Sequence, residues 1–500
     1  MNVSTESRRH QYEIGSLTNV VKVFLMFCGS NDNTRKFNDG VGMTIGKKIE
    51  QLRTGDLVLH CVQVEVFQKM DNGLKMLGHG TIKVNDVGTI YMEFICTSSA
   101  NVPRGCSFGA MLPKDQLNDE HKLYLRAKTI DGSVYESDGF SIEINMNSSY
   151  PPVHHNIFLS SINSNSIVGS HEPAEDNYLY FEFAEDFKIP ANKSNSIVSS
   201  LGSETYSWDQ TVLEMDGYLI SMVKKPCHTQ VTVTGCFDLK KLLVCLKFYI
   251  GFSSASMPQF VYVLKRSGDH KQEIISSIDN NQKHQLSSTP MVAHIADEKY
   301  KDSTYHYKLL ENIISLYEKD PKQFESVYSQ WERVWYSFQS KYSIMILTLS
   351  VAIEGLLNDI YIPIIKVKKY NSELDAEIKK VKQQVKTLEL TDAQRDRILS
   401  SVSYWKNITA AKALDYLIEQ GVITSPDKKL WQKLRNESAH PKVREENLAK
   451  EMLEREKVTS CLNLFHKLVL NTLAFSGPVG VLQAGKEPKC EELIHTEILN

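Results

Sequence analysis

The sequence predicts an α+β chain of several domains: a β-rich N-terminal half followed by an all-α helical bundle. Three observations predict it. Apolar residues recur with period two between about residues 17 and 146, Asp-Gly and Asn-Gly pairs punctuate that stretch, and after residue 303 the period becomes that of helices. The expected divisions are 1–150, an antiparallel sheet or sandwich; 151–290, a second β-rich region with one helix; 303–476, the helical bundle; and 477–500, a tail. Five hundred residues are ample for about two to four domains with sizeable cores.

In the first division Val62-Gln63-Val64-Glu65-Val66-Phe67 and Ser141 to Met146 alternate apolar with polar residues. Leu123–Thr129 and Val134-Tyr135 flank Asp131-Gly132, and Asp71-Asn72-Gly73 is a second such turn. Type I′ turns need positive φ at both central positions, which these residues accept. Gly78-His79-Gly80 reads as turn chemistry, and residues 147–175, rich in Ser, Asn, Pro and His, read as a linker or long loop.

Strand signals return at Tyr178–Phe183. A hairpin follows through Val212–Met215, Asp216-Gly217 and Tyr218–Met222. Asp238 opens an apolar helix, Leu239–Ile250, which Gly251 closes at C′. Phe260–Leu264 is a further strand, and a polar stretch from 267 to 302 leads to the bundle.

The bundle begins with amphipathic helices over Tyr305–Tyr317 and Gln323–Phe338. Ser343–Ile362 is apolar nearly all round, which predicts a central helix. Thr391-Asp392-Ala393-Gln394 is a capping box, and Ala411–Ile418 is a short helix ended by Gly421. Ser425 caps the next helix with Pro426 at its first position, and that helix carries Leu430, Trp431, Leu434 and, in its last turn, Arg435. Val443–Phe475 reads as one long helix with Leu448, Met452, Leu462, Phe465, Val469 and Leu473 facing inward.

Composition narrows the function classes. Net charge is −3, so no global polycation grips nucleic acid, and such binding needs a local patch. Met1–Glu6 has no apolar core of a signal peptide, and nine scattered cysteines without a CxxC pair suit a cytoplasmic protein. The apolar run Tyr342–Ile353 is too short to span a bilayer, so no membrane is expected. His154-His155 and Cys227-His228 lack partners at ligand spacing, so no metal and no cofactor is expected. The sequence has no P-loop, no GxGxxG after a strand and no GxSxG elbow.

One stretch gathers chemistry: Arg435-Asn436-Glu437-Ser438-Ala439-His440, followed by Pro441. Pro441 disfavours helix at His440 yet can begin the next helix, which places His440 at a helix N-terminus. There the macrodipole disfavours imidazolium, leaving a neutral imidazole able to accept a proton. The second informative residue is Glu354, a carboxylate inside the most apolar helix. It needs a cationic partner, for which Arg435 is the candidate, or it lies at the bundle edge and reaches water. The bland reading of the pair is a helix-end arginine in a salt bridge and a histidine used as an N-cap.

An arginine, a polar residue, three more residues and a histidine between two bundle helices resemble the HEPN superfamily. Arg435, Asn436 and His440 fit the shortest form of its motif. Glu354, in Ser350-Val351-Ala352-Ile353-Glu354-Gly355-Leu356-Leu357, resembles the acidic residue common in an earlier helix. The overall plan is similar to the ApeA type of bacterial antiphage protein. That resemblance rests on motif over about 303–476 and on layout alone for the N-terminal half.

The resemblance implies a metal-independent endoribonuclease, an effector of abortive-infection defence. Arg435, His440 and Asn436 would be catalytic and Glu354 supporting. The site would form between two bundles, hence a homodimer or higher oligomer. The β half would be sensor or regulator, with a phage-derived trigger protein as a partner. Lys366, Lys368 and Lys369, with Lys379, Lys380, Lys382 and Lys386, are candidates for RNA contact. Glu373, Asp375, Glu377 and Glu389 are interleaved with them, the pattern of a solvated helix face. The alternative is a non-catalytic HEPN-like module for dimerisation or nucleotide binding, with a protein-binding β domain.

Overall fold

Period-two patterning becomes strand and helical patterning becomes helix on either side of about residue 300 in the computed structural model. It describes residues 40–103, 110–144, 151–167, 177–185, 187, 189–198, 204–279, 291, 304–369, 372–439, 448–483 and 486–497. The expected alternation before residue 40 lies outside the described residues.

A first helix, α1 (Gly40–Thr54), precedes strands β1 (Val58–Phe67), β2 (Lys75–Val84), β3 (Ile90–Ala100), β4 (Ala110–Leu112), β5 (Leu123–Thr129), β6 (Val134–Phe140), β7 (Ile142–Ile144), β8 (Val153–Leu159) and β9 (Ser161–Ile167). Next come β10 (Tyr178–Phe183), β11 (Lys193–Val198), β12 (Glu204–Met215), β13 (Tyr218–Lys224), β14 (Thr229–Gly235), helix α2 (Leu239–Ser254), β15 (Phe260–Ser267) and β16 (His270–Ser276). Fourteen of these strands form one antiparallel ladder, ordered β11-β12-β13-β14-β10-β15-β16-β9-β6-β5-β1-β2-β3-β8.

Strand β8 pairs with β3 while β9, one residue further on, pairs with β6 and β16. The run β8-β3-β2-β1-β5-β6-β9 therefore begins and ends on a single stretch of chain, which closes it around its own core. Val64, Val66, Met76, Ile82, Met92, Phe94, Ala127 and Ile157 fill that core with no exposed surface. The ladder thus crosses the expected division at residue 150 without a break.

The other seven strands of the ladder, β10 to β16, form a second layer, while β4 and β7 pair apart as a two-stranded sheet. Leu179, Phe181 and Phe183 of β10 enter a core shared with the helices, whereas Tyr178 and Tyr180 pack toward the first core. Helix α1 lies on that second side. Lys48 donates to Tyr135 (2.8 Å) and to Glu273 (3.0 and 3.1 Å), and Arg53 pairs with Glu182. Burial opposes charge on Lys48, but the Glu273 carboxylate and Tyr135 outweigh it and raise its pKa.

The helical half contains α3 (Thr304–Lys319), α4 (Pro321–Ser337), α5 (Tyr342–Leu356), a π turn (Leu357–Tyr361), α6 (Ile362–Lys369), α7 (Ser372–Thr387), α8 (Asp392–Ser403), α9 (Ala410–Glu419), α10 (Ser425–Ala439) and α11 (Leu448–Thr472). The predicted capping box at Thr391 and Gln394 forms. Helix α5 is central, burying Met345, Ile346, Leu349, Ala352, Ile353 and Leu356. Through the π turn its helical path runs from Tyr342 to Val367, long and apolar enough by composition to cross a membrane. Half of its most apolar window is buried against the rest of the bundle.

Several expectations are corrected. Residues 147–175 are not a simple loop, because β8 and β9 lie within them; His155, Ile157, Leu159, Ile162 and Ser164 are buried while His154, Asn156, Asn165 and Ser166 are exposed. Gly78-His79-Gly80 is strand, not turn: a side chain at either glycine would strike a backbone carbonyl of β3. Residues 270–276, expected as part of a polar connection, form β16. Helix α2 continues past Gly251 to Ser254 and is capped by Ala255 at φ 54°. Gly251 serves packing instead, lying against Trp331.

At α10, Thr424 and Asp427 make the capping contacts, so Ser425 is already inside the helix. Leu462, Phe465, Val469 and Leu473 face inward as expected, whereas Met452 is exposed. The side chain of Leu448 and the first turns of the expected Val443–Phe475 helix lie outside the described residues. The 477–500 tail holds a hairpin, β17 (Gly477–Gln483) with β18 (Lys486–Leu493).

Candidate functional site

The hydrophobic pattern of α5 fixes which of its sides meets α10. Ser350 and Glu354 stand one turn apart on α5, and Trp431 and Arg435 stand one turn apart on α10. The two pairs form two rungs. On the inner rung the Trp431 indole Nε1–H donates to the Ser350 carbonyl at 3.2 Å, with Trp431 buried. On the outer rung Arg435 Nε donates to Glu354 Oε2 at 2.9 Å and Nη2 donates to Oε1 at 3.0 Å. This is the parallel two-bond geometry that a guanidinium and a carboxylate favour.

The rungs touch each other. The Arg435 guanidinium carbon lies 5.8 Å from the centroid of the Trp431 ring, at the outer limit of a cation–π contact. The Arg435 side chain is 50% exposed and that of Glu354 28% exposed. The carboxylate demanded by the apolar helix therefore pairs with the predicted arginine, and the arginine still faces solvent. Next to it, Asn436 is exposed and Glu437 binds Lys457 of α11 at 2.8 and 3.0 Å, which ties the end of α10 to the long helix.

His440 and Pro441 lie outside the described residues, so the structure places Arg435, Asn436 and Glu354 but not the histidine. The side chains of Lys368 and Lys369 lie outside as well. Lys366, Lys379, Lys380 and Lys386 are exposed, and Lys382 is half-buried. Sequence reasoning assigned no role to Trp431; its signal was an aromatic residue one helical turn before the arginine.

The face of α5 that carries Glu354 is apolar and open. Ile344, Leu347 and Val351, at helical spacing along it, are nearly half exposed. Met452 and Leu453, on α11 before Lys457, are more exposed still.

The other candidate groups stay apart from this site. His154 points to solvent, and His155 is buried against Phe94. Burial pushes the His228 pKa down to about 4, with the Arg53 charge adding to the effect. Among the described residues no three His, Cys, Asp or Glu side chains come together in a way that could hold a metal ion.

The arrangement presents a permanently charged, planar donor at a bundle surface, oriented by a carboxylate from a second helix. Such a group recognises phosphate or carboxylate oxygens in pairs. Compared with family models, with curated proteins and with solved structures, the chain matches none.

Proposed function

We propose that the chain is a metal-independent, HEPN-type endoribonuclease acting in bacterial antiphage defence, with the β half as sensor or regulator. The observation that carries this reading is the Arg435–Glu354 pair. A carboxylate from the most apolar helix holds the arginine in two-bond geometry, yet half of the arginine side chain remains exposed. Surface pairs contribute little to stability, so leaving this guanidinium exposed costs the fold little.

RNA brings its own nucleophile. His440 of one copy removes the proton from a ribose 2′-OH, and that oxygen attacks the adjacent phosphorus. The P–O5′ bond breaks, and the departing 5′-oxygen takes a proton from His440 of the second copy in its imidazolium form; exchange with solvent then returns the two histidines to their starting states. Arg435 neutralises the charge that builds on the phosphate oxygens, and Asn436 orients the phosphate by hydrogen bonding. The products are a 2′,3′-cyclic phosphate and a 5′-hydroxyl.

A single chain carries one Arg–His set, so the composite site needs a second copy. The open stripe Ile344, Leu347 and Val351 beside Glu354 supports a homodimer whose two motifs face one another.

The test incubates purified protein with mixed RNAs in EDTA, beside Arg435→Ala, His440→Ala and Glu354→Gln. Cleavage by the wild type, lost in the first two variants with the fold intact by circular dichroism, supports the enzyme. An inert wild type, with candidate activators present, points to a non-catalytic dimerisation or nucleotide-binding module.

A further inference from the structure

We infer that Trp431 is a positioning residue: its indole is the fixed floor on which the Arg435 guanidinium is oriented. This rests on the reading of Arg435 as a phosphate-binding group. The ion pair with Glu354 fixes one edge of the guanidinium, but a half-exposed pair can still pivot about that edge. The Trp431 ring, 5.8 Å away, limits the pivot.

A ring can serve as a floor only if it is itself held. Trp431 is 2% exposed, and its N–H is committed to the Ser350 carbonyl. A carbonyl oxygen has two lone pairs, so it can accept the indole N–H as well as a helix hydrogen bond. Ser350 and Glu354 are one turn apart on one helix, and Trp431 and Arg435 one turn apart on the other. The floor and the carboxylate clamp are therefore set by the same packing of α5 against α10. A shift of that packing would move both together.

The Glu354 carboxylate and the Trp431 ring together make a guanidinium socket that survives removal of the arginine side chain. It can be probed without RNA. Arg435→Ala full-length protein is titrated with millimolar guanidinium chloride while the Trp431 indole N–H resonance is followed by NMR. Guanidinium is expected to shift that resonance saturably, and ammonium at equal ionic strength is expected not to. The response should vanish when Glu354→Gln is added. No response, or the same response to ammonium, overturns the inference.

The second arm uses activity. Guanidinium should restore RNA cleavage to Arg435→Ala. Adding Trp431→Leu should raise the half-rescue concentration about three- to fivefold, and the milder Trp431→Phe less. A merely structural role for Trp431 would lower the maximum rescue and leave the half-rescue concentration unchanged, which would overturn the positioning role. A wild type that cuts no RNA sinks the enzymatic reading alone, because the NMR arm still decides whether the socket exists.

Discussion

Substituting Leu347→Glu on the open face of α5 tests the proposed assembly. Leu347 is 46% exposed, and its neighbours Ile344 and Val351 are each 49% exposed. Complete burial of a leucine is worth about 1.5–3 kcal/mol, so covering the exposed half contributes about 1 kcal/mol. A two-fold interface uses the same residue from each copy, which doubles the loss to about 2 kcal/mol. That corresponds to a roughly 30-fold weaker dimer. The glutamate also brings a carboxylate into the seam of each copy, so 30-fold is a lower bound. Sedimentation velocity over a concentration series reads the dissociation constant directly. The monomer should remain folded, because the side chain points away from the core, and cleavage should fall in step with the dimer lost. Two results refute the reasoning: a wild type that is monomeric while cutting RNA at full rate, or a dissociation constant that Leu347→Glu leaves unchanged.

Other perturbations test the frame. His466 is buried between aromatic rings and burial pushes its pKa down to about 3, so the unfolded chain takes the proton first as pH falls. Its contribution is complete above the unfolded value of about 6.5 and declines by about 1.4 kcal/mol per unit as pH falls toward 3. Urea unfolding at pH 6.5 and 4.5 should differ by about 2–3 kcal/mol more in wild type than in His466→Leu; equal slopes would contradict this. Lys48→Met leaves Glu273, 4% exposed, without its cation, and should cost about 2–4 kcal/mol, discounted for the partial exposure of the lysine. Adding Glu273→Gln should recover most of that loss in chemical denaturation, and a single variant as stable as wild type would argue against the anchor. Gly80→Ala drives a methyl group into the Glu93 carbonyl of β3 and should cost about 1–3 kcal/mol; an unshifted melting temperature would reject that.

Legibility followed the strength of periodicity. Helix α5 was readable because almost all its residues are apolar, and that same fact made Glu354 conspicuous: a carboxylate there needs a partner. Arg435, in the last turns of α10, was one candidate partner, with a water-facing Glu354 as the alternative; the structure pairs the two. Strands β8 and β9 were not legible, since in Ser161–Ile167 only the ends carry large apolar residues and the ladder partners do the rest. Gly78 and Gly80 mimic a turn in sequence, but they are needed because a neighbouring backbone approaches too closely for a side chain. Gly251 mimics a helix stop for a related reason, because Trp331 sits against it. Met452 fits an inward stripe by spacing but lies at the exposed end of α11, beyond the core that Val458 and Leu462 enter. The two rungs between α5 and α10 depend on how the helices cross, which no single-helix pattern encodes.

The division of cores constrains how the proposed regulation by the β half can reach Arg435. Leu179, Phe181 and Phe183 of β10 share one continuous core with Trp331, Leu349, Ile353, Trp431 and Phe465. The second sheet layer and the bundle therefore share one core, and separating them would expose it. The closed set of strands around Phe94 has a separate core, joined to the second layer by the β9–β16 ladder and by α1. Lys48 and Arg53 of α1 end on Glu273 and Glu182, carboxylates on the face of the second layer turned away from the bundle. On the proposed function, a trigger captured on the outer strands would act on the helical half by shifting α1 or the β16 register. Either shift strains a layer whose opposite face shares a continuous core with α5 and α10, the two helices that set the Arg435 geometry.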